Sequence, residues 1–302
     1  NPGALSVRCL QAQQPGQTDA VLNNLKTAAL LAGLAGLLMA IGSFWGQSGL
    51  MIAFGMSVVM IGGSYWFSDR LAIASARAKP VPEGALPEYR QIMTELTTAA
   101  EIPMPGLFVS PNPQPNAFAT GRNPHHAAVC VTEGLLQALT WEEIRGVLAH
   151  ELAHVRNRDI LTSSVAAAVA STITFAARMA MWGAMFGGGG GGGRDRNGGG
   201  LEQLAMIILG PIAAALIQMA ISRNREFAAD ASAAKLLGTG EPLARALDKL
   251  DLYSQRIPAD INPAQAQAYI VNPLRRGGMA SLFSTHPPVE ERISRLRGGS
   301  WA

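Results

Sequence analysis

Apolar positions along this chain fall into long runs separated by mixed, charged stretches. Residues 27–45 are almost wholly apolar or small and carry no charge, and a second such run covers 50–67. The link Gly46-Gln47-Ser48-Gly49 between them reads as a tight turn. Each run is about 18 residues, close to the roughly 20 that cross a bilayer as a helix. They predict a transmembrane hairpin over 23–68, with Trp45, Tyr65 and Trp66 near the interfaces. Runs at about 161–182 and 204–221 predict a second hairpin over 161–222, in which Pro211 is tolerable. Between them, seven glycines from Gly187, then Arg194-Asp195-Arg196-Asn197 and three more glycines, read as a flexible linker over 187–200.

The other stretches have a different rhythm. Residues 1–22 are polar and aperiodic and read as a disordered tail. Residues 69–160 open with a linker marked by Pro80, Pro82 and Pro87. An amphipathic helix follows over 88–100. Short strands at 107–109, 117–120 and 127–131 are separated by Pro, Asn and Gly turns. A short helix covers 134–139. Residues 223–302 predict helices at 223–237, 241–255 and 290–296.

One helix carries recognisable chemistry. Thr140 and Glu143 form a capping box, so a helix starts at about Trp141. Ile144, Val147, Leu148, Leu152 and Val155 give it a buried stripe at helical spacing. On it lies His150-Glu151-Leu152-Ala153-His154. Imidazoles four apart share one face, a turn from each other, and suit two ligands of one Zn²⁺. Glu151 is rotated away by one residue, placed to act as general base on water at the metal. Glu142, Glu143, Arg145, Arg156, Arg158 and Asp159 argue for a site in water rather than inside a bilayer.

Composition sharpens this picture. Charged residues are 15% of 302, against roughly 25% in soluble domains, and hydrophobic residues are 48%. A membrane protein with a sizeable aqueous part fits. The net charge of +3 and the lack of a basic stripe with aromatics speak against nucleic-acid binding. Cys9 and Cys130 form no metal motif and read as free thiols in a reducing compartment. His125 and His126 read as solvated turn residues. Lys26 before the first run and Arg70, Arg77 and Lys79 after the second place the outer ends of the hairpin in the cytosol.

A catalytic zinc takes three protein ligands and keeps one position open. Arg225-Glu226-Phe227-Ala228-Ala229-Asp230 follows the fourth run, as His154 precedes the third. A hairpin of those runs puts both places on one side, on the order of 10 Å beyond the membrane at about 1.5 Å rise per residue. His150, His154 and Glu226 are therefore the expected ligands. Asp230, one turn beyond Glu226, is the expected partner of a ligand histidine.

These motifs, with Asn116-Ala117-Phe118-Ala119-Thr120-Gly121, Ser284-Thr285-His286-Pro287-Pro288 and Glu291-Arg292-Ile293, resemble the HtpX family of bacterial membrane zinc metalloproteases, relatives of the CAAX prenyl proteases. The resemblance runs from about Asn23 to the C-terminus; the tail and the glycine linker depart from it. It implies a mainly α membrane protein with four transmembrane helices and a cytosolic zincin-like α+β domain with a small sheet. It implies one Zn²⁺ per chain, protein or peptide substrates, a lipid bilayer as setting, and a place in the bacterial inner membrane with the active site facing the cytoplasm. Quality control of damaged or misfolded membrane proteins is the implied role. By the same resemblance His150, His154 and Glu226 hold zinc and Glu151 is catalytic. Asn116 contacts substrate, and His286 steadies the tetrahedral intermediate.

The chemistry expected is peptide hydrolysis, with an extended substrate pairing to the strand at 117–120. Two other readings stand beside it. One is a prenyl-peptide-directed protease, which four spans and no large enclosed chamber disfavour. The other is a scaffold with a structural zinc, which would fill all four positions. No fourth Cys or His lies near the motif.

Overall fold

The computed structural model describes residues 46–160, 223–256, 269–271, 287–299 and 301, with scattered helical positions between 25 and 43. In chain order these form α1 (Gly46–Ser75), β1 (Lys79–Pro80), α2 (Pro87–Ala100), β2 (Gly106–Ser110), β3 (Ala117–Gly121), a 3₁₀ turn (Pro124–His126) and β4 (Ala127–Thr132). Then come α3 (Glu133–Ala138), α4 (Trp141–Arg156), α5 (Arg223–Leu237), α6 (Glu241–Arg256) and α7 (Val289–Arg297).

The strands make one mixed sheet in the order β1-β2-β4-β3. β2 runs parallel to β4, while β1 and β3 are antiparallel to their neighbours. Although β3 lies between β2 and β4 in sequence, it is displaced to the outside, with Ala119 opposite Val129. That leaves β3 as an edge, and the edge turns toward α4. Tyr89 on α2 fastens the sheet by donating its hydroxyl to the Val129 carbonyl at 3.1 Å.

α4 is the centre of the core. Its capping box forms as the sequence predicts: Thr140 N donates to Glu143 Oε2 at 2.8 Å, and Thr140 Oγ1 accepts from Glu143 N. The stripe Ile144, Val147, Leu148, Leu152 and Val155 is buried. So are Glu143, His150 and Glu151 on other faces, because β3, α2, α5 and α6 wrap the helix. Glu143 offsets its burial by receiving Lys249 Nζ of α6 at 2.8 Å.

Gly146 sets how closely α4 and α6 approach. A Cβ there would lie 2.5 Å from Leu243 N and 2.8 Å from both Leu243 Cα and Pro242 C. Those are backbone atoms and cannot swing aside. Gly146→Ala is expected to push the helices apart and lower stability by about 1–3 kcal/mol, the usual range for overpacking. Thermal melting checks this, and an unchanged midpoint would refute the close-packing argument.

Several sequence expectations change. The turn expected over 46–49 is the first turn of α1, which also runs beyond Phe67 to Ser75. Lys79–Pro80, read as linker, pairs with Val109 and Phe108. Among the described residues, which omit most of the first apolar run, the whole second hairpin and several α1 side chains, no helix is long and apolar enough to cross a membrane. The four-span expectation therefore gains no support from the fold. The tail, the glycine linker, the runs at 161–182 and 204–221, and His286 lie outside the described residues.

Candidate metal centre

Helical geometry alone brings His150 and His154 together. Their ring centroids are 4.7 Å apart with planes at 88°, and their Nε2 atoms are 3.2 Å apart. Glu226 enters from the first turn of α5, which packs along α4. Its Oε2 is 3.6 Å from His150 Nε2 and its Oε1 is 3.6 Å from His154 Nε2. These are the residues the sequence brought forward as ligands, and they converge on one point.

The far side of each ring meets a carboxylate. Asp159 Oδ2 lies 3.0 Å from His154 Nδ1, and Asp230 Oδ1 lies 2.9 Å from His150 Nδ1. The second contact is near but poorly aligned for a hydrogen bond. With Nδ1–H directed to Asp159, the His154 ring presents its Nε2 lone pair inward, and the Asp230 carboxylate beside His150 Nδ1 favours the same tautomer there. Asp230 stands where the sequence expected a partner for a ligand histidine.

Such a cluster fits a metal ion. The two Nε2 atoms are 3.2 Å apart, and each lies 3.6 Å from one of the two Glu226 carboxylate oxygens. Tetrahedral zinc with bonds of about 2.0–2.1 Å separates its ligands by about 3.3–3.4 Å. Electron-rich atoms this close, and buried, require a positive charge among them. Without a metal the charge is a proton. Burial lowers the His154 imidazole, yet Asp159, Glu226 and Glu151 outweigh it and hold the group up at about 10. His150 is likewise raised: burial works against it, and Asp230 and Glu226 prevail.

Glu151 occupies a different position. It is buried, and its Oε2 accepts the backbone N–H of Ala119 at 2.9 Å, so this amide of edge strand β3 faces α4 rather than β4. Burial pushes its carboxyl up, Glu226 adds to that, and the two imidazoles and the Ala119 amide oppose it. A carboxyl with a raised pKa beside a metal position suits proton transfer near neutral pH.

The site is more enclosed than the charges along α4 implied. His150 and Glu226 are 2% and 6% exposed, which is cover rather than open water. Asn116 is buried at the head of β3, where its Oδ1 accepts Ile270 N–H at 3.2 Å. His125 and His126 form the exposed 3₁₀ turn away from the cluster, capped by Asn123. Cys130 is a buried thiol in β4, pushed up to about 12 by burial and unsuited to reaction.

Sequence reasoning missed Asp159 and Arg292. Asp159 follows the C-terminus of α4, where an acid opposes the helix dipole, so its presence there was a usable signal. Arg292 stood in the sequence only as part of the Glu291-Arg292-Ile293 motif, with no role attached to it. It is wholly buried and grips Asp230 with two 2.8 Å hydrogen bonds. Burial alone would raise the Asp230 carboxyl, but the Arg292 guanidinium pulls it down to about 2.

Residues 86–300 match the model of Peptidase family M48, which sets the class as a metallopeptidase. A Protease HtpX homolog of Syntrophobacter fumaroxidans is 52% identical over 278 residues, covering 91% of this chain and 99% of that protein. One from Syntrophotalea carbinolica is 51% identical over 277 residues, covering 91% and 98%. Among solved structures, that of S. mikatae Ste24p aligns over 93% of this chain and 66% of its own, with 17% identity and a TM-score of 0.47. The chain belongs to peptidase family M48, alongside the HtpX proteases.

Proposed function

We propose that this chain is a membrane-attached zinc endopeptidase that cleaves damaged or misfolded membrane proteins at the cytosolic face. The observation that carries the catalytic part is the convergence of His150 Nε2, His154 Nε2 and the Glu226 carboxylate, with each imidazole backed by an aspartate. His150, His154 and Glu226 would hold the zinc. When bound, zinc supplies Lewis acidity toward a scissile carbonyl and brings the pKa of a water toward about 7.

The chain's own residues supply the rest. Glu151 takes a proton from the attacking water and passes it to the leaving amine. Its attachment to Ala119 puts the base beside the outer edge of β3. An extended peptide pairing with that edge is read through its backbone, which suits broad specificity. Asn116 holds the head of β3 through Ile270, so it would act on substrate by fixing the strand. Asp159 and Asp230 keep the imidazoles aimed.

Membrane attachment has its own support. Met51, Ile52, Phe54, Val58, Val59 and Trp66 of α1 are each more than half exposed. Apolar side chains in that number on one helix suit contact with lipid or another apolar surface. α1 packs on β3 and β4, tying that surface to the catalytic sheet.

The test is hydrolysis of a casein-like substrate by the purified protein, abolished by a chelator and restored by zinc. Activity that survives complete metal removal defeats the proposal. A further prediction concerns protons. Because metal-free His154 keeps its proton up to about pH 10, zinc binding at pH 7 must displace it. Zinc affinity then rises with pH and falls in acid. Calorimetry in buffers of different ionisation enthalpy is expected to report release of at least about one proton per zinc. Zero release would contradict this charge assignment.

A further inference from the structure

Among the described residues, hydrolysis as derived leaves a wholly buried guanidinium without a part. The side chain of Arg292 on α7 has 0% exposure. A guanidinium stays charged in any protein environment, so burying one demands nearly complete pairing. Arg292 has it. Nε donates to Asp230 Oδ2 at 2.8 Å, and Nη2 donates to Asp230 Oδ1 at 2.8 Å. Nη1 donates to the Ile270 carbonyl at 3.0 Å.

Both contacts lead into the site. Asp230 Oδ1 lies 2.9 Å from His150 Nδ1, so one carboxylate joins the guanidinium to a ring of the donor cluster. On the other arm, Ile270 donates its N–H to Asn116 Oδ1, at the residue preceding β3. β3 is the strand whose Ala119 amide holds Glu151. One side chain far along the sequence thus braces the His150 ring and the head of the edge strand together.

We infer that Arg292 is a positioning residue for the metal centre: its fork locks Asp230 at two points, and the locked carboxylate holds the His150 ring with Nε2 turned to the metal position. The fork explains the residue type. A planar guanidinium fixes both carboxylate oxygens, whereas an ammonium supplies charge at one point and lets the carboxylate swing. Asp230 without this brace would be a buried anion aligned only by a poorly directed contact to His150. The inference rests on the zinc site proposed above.

The experiment measures zinc affinity, by competition with a chromogenic chelator, on the full chain in detergent. Absorption bands of the Co²⁺-substituted protein give a second readout. The variants are Arg292→Lys, Asp230→Asn, the two combined, and Leu247→Ala, a truncation of a buried apolar core residue in α6. Loss of outer partners of metal ligands weakens binding by about 10–100-fold, and Arg292→Lys is expected at about tenfold with shifted Co²⁺ bands. It should add nothing further once Asp230 is Asn, since the brace acts through that carboxylate. Leu247→Ala should lower the melting temperature and leave zinc affinity alone. Unchanged affinity and Co²⁺ bands in Arg292→Lys overturn the positioning role while the zinc site stands. The role also falls if Leu247→Ala weakens zinc as much as Arg292→Lys does. If the wild-type chain binds no zinc through His150, His154 and Glu226, the proposed site fails first.

Discussion

Glu151→Gln is expected to keep its zinc and to lose turnover by about 10²–10⁴-fold, the range that general acid–base catalysis contributes. Gln has the shape of Glu, and its amide oxygen can still accept the Ala119 N–H that now holds Oε2. It removes a buried negative charge that desolvation already disfavours, so the fold has no reason to weaken. Glu151 is not among the three donors of the cluster. What the substitution removes is the ability to take and return a proton. Metal analysis of the purified variant together with kcat on a casein-like substrate decides the matter. Turnover within tenfold of wild type, with zinc present, would show that another group moves the proton.

Glu226→Gln should behave in the opposite way and fail at the metal. Each Nε2 lies 3.6 Å from one of the carboxylate oxygens, and Glu226 is the anionic member of the donor set. A neutral amide oxygen is a poorer donor to a dication, and two imidazoles alone leave half a tetrahedral shell to water. Zinc affinity should fall by more than the about 10–100-fold typical of outer partners. The zinc-to-protein ratio should drop from near one toward zero on dialysis, and activity should drop with it. Retention of a full equivalent with unchanged affinity would remove Glu226 from the ligand set. Together the two variants separate base from ligand: one keeps metal without turnover, the other loses both.

Local features of the site were legible in the sequence because their physics is local. A helix places positions four apart on one face whatever surrounds it, so His150 and His154 could be paired from spacing alone. The Thr140–Glu143 capping box fixes the start of that helix within three residues of chain. The strands of the sheet were visible as short apolar segments between Pro, Asn and Gly turns. Glu226 was reachable only through an argument about neighbouring helices, and the packing of α5 on α4 agrees with its outcome.

The sequence by itself determined which side chains can do chemistry here: a pair of imidazoles in register, a carboxylate between them, and a second acidic segment after a long apolar stretch. Tertiary structure alone decided how those groups are held. It moved β3 to the sheet edge so that the Ala119 amide meets Glu151, closed α6 onto α4 at Gly146, set Asp159 behind the His154 ring and placed Arg292 on Asp230. The reason is range. Periodicity and capping act over a few residues and leave a mark in the sequence, whereas Arg292 and Asp230 are 62 positions apart. Their contact is fixed by how helices stack, which no short stretch of the sequence records.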